Sequence, residues 1–167
     1  MPRWFAPLWG IFGIAGLLVQ AMVRMVPRVH DMLQQDLAAW QWGLLVLWVG
    51  WMAHAEGLRG FHRRFSPRIV ARAVTLTRSS SGLHRLLAPI YCMGYIHASR
   101  RRKIVAWAVS SGIALLAAGV GRLPPLWRGF VDAGVVVGLG IGLASLGYYT
   151  VQALTGKRLP VDPELPS

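Results

Sequence analysis

Residues 4–23, 37–55, 104–121 and 129–154 contain no Lys or Arg, and the single carboxylate among them is Asp132. Each stretch is close to, or longer than, the roughly 20 apolar residues that a helix needs to cross a hydrocarbon core of about 30 Å. Lipid offers no partner to backbone N–H and C=O groups, so a spanning segment is a helix or part of a closed barrel. Nothing in these stretches alternates with a period of two, which leaves helices. A 54 % hydrophobic composition with 14 % charged residues is too apolar for a soluble domain of 167 residues. The sequence therefore predicts an all-α, polytopic membrane protein: one integral membrane domain with four transmembrane helices and a tail at 155–167.

Charge predicts the orientation. Eleven of the eighteen Lys and Arg residues lie between 57 and 103, a segment with no Asp or Glu. Four spans put that segment, Arg3, Lys157 and Arg158 on one side, and Arg24, Arg28, Arg122 and Arg128 on the other. A bias of fourteen to four places the segment and both ends of the chain in the cytoplasm, across a plasma (inner) membrane. Aromatic residues agree, with Trp4, Trp107, Tyr148 and Tyr149 near the inner boundary and Trp40, Trp42 and Trp127 near the outer one. A net charge of +12 would suggest nucleic acid in a soluble protein, but here it flanks membrane spans, where lipid and topology account for it. The Val19-Gln20-Ala21 run resembles a leader cleavage site, but the preceding apolar core is long, and an uncleaved first helix is the expectation.

Short outer connections at 26–36 and 122–128 make two antiparallel hairpins, joined by the basic segment. Within that segment, Ser66-Pro67 reads as an N-cap followed by proline at the first helical position. Residues 67–78 place Ile69, Val70, Ala73 and Val74 on one face and Arg68 and Arg72 on another, predicting a basic amphipathic helix lying on the inner leaflet. Ser79-Ser80-Ser81-Gly82 breaks it. Residues 83–98 are apolar but short and contain Pro89, predicting a second interfacial or shallow re-entrant helix.

Small residues predict how the helices pack. Gly134, Gly138 and Gly142 recur every fourth residue in the last span, and Ala106, Ser110, Ala114 and Ala118 do so in the third. Small side chains at this spacing let backbones approach closely in lipid. The expectation is that the third and fourth helices pack together within one chain; a homo-oligomer through the glycine face is the alternative.

Few residues carry a chemical signal. The densest polar run is 54–64, where Arg59, Arg63 and Arg64 can hold phosphate, Glu56 can pair with Arg59 three residues on, and His54 or Glu56 can accept a proton. His54 and His97 both lie near the predicted inner boundary, where a haem would need them facing one another. However, no HExxH, His-x-x-His or Cys–His spacing is present, and the single cysteine, Cys92, excludes an internal disulfide. No metal or cofactor is expected. Asp132 follows Arg128 by four residues and is expected to pair with it at the start of the last helix. No nucleophile elbow, phosphate loop or paired-carboxylate motif occurs.

The reading is a non-catalytic structural or accessory membrane subunit that binds anionic lipid or an acidic protein partner, not nucleic acid. Its binding residues would be His54, Glu56, Arg59, Arg63, Arg64, Arg68 and Arg72. The alternatives are an enzyme or carrier for phosphate-bearing lipid at the inner leaflet, and an oligomeric channel.

Overall fold

The computed structural model describes residues 5–77, 82–157 and 159–161, and the side chains of all of these except His84 and Arg85. Arg3, Trp4, Arg78, the Ser79–Ser81 break and Arg158 lie outside the described residues. All regular structure among the described residues is helical. The helices are α1 (Phe5–Leu33), α2 (Ala39–Met52), a π-helix (Ala53–Phe65), α3 (Ser66–Thr75), α4 (Gly82–Leu86), α5 (Ala88–Met93), α6 (Arg100–Val120) and α7 (Pro125–Leu154).

Three of them, α1, α6 and α7, are long and apolar enough to cross a membrane. The second predicted span takes a different form. α2 has 14 residues, about 21 Å of helix, too short by itself for a hydrocarbon core of about 30 Å. It runs without interruption into the π-helix, whose ends at Ala53 and Ser66 both keep right-handed helical dihedrals. The polar run 54–64 is therefore a continuation of the same rod.

Pro67 marks where the wide winding stops. The Ser66 N–H bonds back five residues to the Phe61 carbonyl. Pro67 has no N–H to place, so the return to α-helical bonding happens where no donor is lost. Ser66 is consequently inside a continuous helix and is not an N-cap; its hydroxyl donates to the Gly142 carbonyl on α7 at 3.4 Å.

α7 is the central helix. α1 runs antiparallel to it, with Arg28 beside Asp132 and Ile14 in one cluster with Leu146, whereas the α2–π rod runs parallel, with Trp40 against Trp127 and His62 against Ser145. The expected outer connection at 26–36 is helical as far as Leu33, despite Pro27. Burial explains this: Met32 is enclosed against α7, and Val29 packs with it in a cluster that includes Leu45, Phe130 and Ala133. That packing outweighs one lost helical hydrogen bond.

The segment 66–98 also departs from expectation. α3 is amphipathic, but it does not lie flat on the surface: Ile69, Val70 and Ala73 are buried among α1, α5 and α7. α5 seats on α1, where Gly10 and Gly13 leave room for it; a Cβ on Gly10 would lie 2.9 Å from Cys92 Sγ and one on Gly13 would lie 2.6 Å from Pro89 Cγ. Gly94 ends α5 in the left-handed region at φ 88°, the conformation that glycine adopts without penalty.

α6 is not packed along α7 as the small-residue pattern suggested, and none of its residues is buried. Its link to the bundle runs through Tyr95, whose hydroxyl hydrogen-bonds Ser110 and whose ring meets Trp107 edge-on at 5.2 Å. Ala114 and Ala118, further along the same line, are exposed.

Candidate functional site

The π-helix sorts the polar run 54–64 onto two faces. Residues four and five apart stack in this winding, because its turn is wider than that of an α-helix. Met52, Gly57, Phe61, His62 and Ser66 accordingly turn towards α7, as does Glu56, which stays exposed at the edge of the seam, and His54, Leu58, Arg59, Arg63 and Arg64 are exposed.

The α7 glycines receive the inner face. A Cβ on Gly134 would lie 2.8 Å from Met52 Cγ, one on Gly142 would lie 2.7 Å from the Phe61 ring, and one on Gly138 would meet Glu56 Cβ at 3.4 Å. The glycine stripe thus accommodates α2 and the π-helix, while Ala106, Ser110 and Ala114 belong to a helix that stands elsewhere. Within the seam His62 Nδ1 and Ser145 Oγ share a 3.0 Å hydrogen bond, and the His62 ring lies 5.4 Å from that of Tyr149. The sequence pattern did not single out this pair. The signal that reaches it is a period of four to five residues, which links Gly57 and His62 only if the helix is wound wide.

Glu56 and Arg59 form no ion pair among the described residues. Three residues apart are neighbours on an α-helix but not on a π-helix, so Glu56 turns to Gly138 and Arg59 turns outward. Desolvation of the Glu56 carboxyl against the seam pushes its pKa above the usual carboxylate value.

The predicted arginine set divides. Arg59, Arg63 and Arg64 are exposed on the outer face, while Arg68 is half-buried and engaged with neighbours. Arg72 is buried and cannot meet a headgroup. Its Nε donates to the Tyr91 carbonyl at 2.9 Å and its guanidinium also donates to the carbonyls of Ile96 and His97 at 3.0 and 2.9 Å. The guanidinium lies 4.7 Å from the Tyr91 ring centroid. Arg72 therefore ties α3 to the end of α5 and the turn after it. A cation satisfies the last carbonyls of a helix in this way.

His54 and His97 are not brought together: His54 opens the outer face of the π-helix, whereas His97 stacks on Tyr91 below α5. No group of three or more His, Cys, Asp or Glu side chains placed to hold a metal occurs among the described residues. Asp132 pairs with Arg28 of α1 at 3.2 Å, not with Arg128.

No family model, curated protein or solved structure matches the chain. Its apolar helices and all-helical architecture define the class of protein, a helical membrane protein.

Proposed function

We propose that this is a small inner-membrane protein with no catalytic activity of its own, acting as an accessory subunit that holds anionic lipid on the outer face of its π-helix. The observation that carries this reading is the exposure of Arg59, Arg63 and Arg64 on one side of a helix whose other side is committed to α7. Exposed guanidiniums that pair with no carboxylate among the described residues suit phosphate, and a basic face next to membrane spans attracts anionic headgroups. Arg72 belongs to the frame of the site and not to its surface.

In this reading α1, the α2–π rod, α6 and α7 make four crossings, with the second hydrocarbon segment over residues 37–55. The fourteen-to-four charge bias supports a cytoplasmic position for both ends of the chain and for residues 57–103. The His62–Ser145 pair supports packing and not nucleophilic chemistry. Ser145 lies within α7, where neighbouring N–H groups are already used in the helix and none is left to hold an oxyanion.

The test is lipid analysis of the protein purified in mild detergent. Arg59→Glu, Arg63→Glu and Arg64→Glu together should strip co-purifying anionic lipid while the helical content is kept. Retention of the same lipid by this variant would remove the reading. If an acidic protein were lost in place of lipid, the same face would serve a protein partner.

A further inference from the structure

We infer that the lipid held by this face carries two phosphates on one headgroup, as in diphosphatidylglycerol, an inference that rests on the anionic-lipid reading above. The winding of the helix supplies the first reason. Arg63 and Arg64 follow Arg59 by four and five residues, so in the wide turn they straddle it about one turn, ~5 Å, further along. Three exposed arginines then share one face of the helix, and His54 continues that face a further turn back. Two guanidinium forks are enough to saturate one phosphodiester. One phosphodiester carries a single negative charge, so the patch keeps a positive surplus: residues 57–103 contain no Asp or Glu, and among the described residues Glu56, exposed but with its carboxyl near Gly138, makes no ion pair with Arg59. A second phosphate joined to the first by a short bridge reduces that surplus within one molecule, and so avoids immobilising a second lipid.

The surface above the patch indicates a lipid and not a free anion. On the preceding part of the rod, Val46, Leu47 and Trp51 are 67 %, 73 % and 59 % exposed, and Leu58 lies among the arginines at 46 %. Exposed apolar residues of α2 thus precede the basic patch along one rod, so that acyl chains and headgroup find matching surfaces on one element.

The experiment is native mass spectrometry of the full chain in mild detergent. Diphosphatidylglycerol is compared with phosphatidylglycerol at twice its concentration, which equalises charge, with inorganic pyrophosphate as competitor. Retention of diphosphatidylglycerol about tenfold above phosphatidylglycerol is expected. It should fall to the phosphatidylglycerol level in Arg59→Gln/Arg63→Gln and stay unchanged in Arg122→Gln, an exposed arginine beyond α6. Equal retention of the two lipids would overturn the two-phosphate inference and leave the anionic-lipid reading standing. Retention of neither would overturn both. Displacement by pyrophosphate would overturn the lipid assignment in favour of a soluble anion, and circular dichroism of each variant separates loss of binding from loss of fold.

Discussion

The guanidinium of Arg28, near the end of α1, donates to the carboxylate of Asp132 on α7 at 3.2 Å, across 104 residues of sequence. The two ends of the pair differ in setting: the Asp132 side chain is 5 % exposed and that of Arg28 is 39 % exposed. The attraction itself is therefore partly screened, and the larger effect of removing Arg28 is to leave a buried carboxylate without its donor. Arg28→Ala should lower stability by about 1–3 kcal/mol. Arg28→Met with Asp132→Leu, which removes both charges, should recover much of it. Unfolding in mixed micelles measures this, and a double variant no more stable than Arg28→Ala would contradict it.

The three α7 glycines should not tolerate a methyl group equally. At Gly134 and Gly142 a new Cβ lies within 2.8 Å of side-chain atoms on the rod, whereas at Gly138 its nearest neighbour is Glu56 Cβ at 3.4 Å. Gly134→Ala and Gly142→Ala should each cost about 1–3 kcal/mol through overpacking, and Gly138→Ala should cost less. Because the glycines face the same chain, the loss should appear as unfolding of the monomer at any protein concentration. An effect confined to an oligomer would put the glycine face at an interface between copies.

Those glycines also show what the sequence could and could not convey. The stripe was legible, since a four-residue spacing of small residues marks close packing, but its partner was not. α6 has a similar stripe and a short link to α7, and both favour pairing. The α2–π rod wins because its own inner residues, Met52, Glu56, Phe61 and His62, recur at four and five residues and so match α7 only in a wide winding. Helix existence, apolar lengths and the basic segment follow from local composition. The winding of the rod depends on tertiary contacts, which is why the Glu56–Arg59 pairing and the Ser66 cap expected from α-helical rules are absent.

Arg72 separates structure from binding within the same basic segment. Its replacement by Met removes donors from the carbonyls of Tyr91, Ile96 and His97 and should cost about 3 kcal/mol. Lys should not rescue it, because a compact ammonium cannot reproduce a planar fork across carbonyls on α5 and the following turn. Lipid retained per folded molecule should stay at the wild-type level, in contrast to changes at Arg59 and Arg63. An Arg72→Met protein of unaltered stability that loses its lipid would move Arg72 back to the binding surface.

Beside that arginine, Cys92 is fully enclosed against Gly10 of α1, and burial pushes its thiol up to about 12, against a smaller opposing pull from the Arg72 charge. The nucleophile in alkylation is the thiolate, so a shift from 9.0 to about 12 lowers its population about a thousandfold at pH 8. The native protein should therefore resist maleimide at pH 8 and react promptly only once unfolded. The raised value also fixes the sign of the pH effect on stability. The unfolded chain releases the Cys92 proton at lower pH than the folded one, so this contribution is complete below about pH 9 and declines as pH rises towards 12. Cys92→Ala should flatten the part of the alkaline stability profile between those values, at the cost of a small cavity beside Gly10. Rapid labelling of the folded protein at pH 8 would show that α5 does not stay seated on α1.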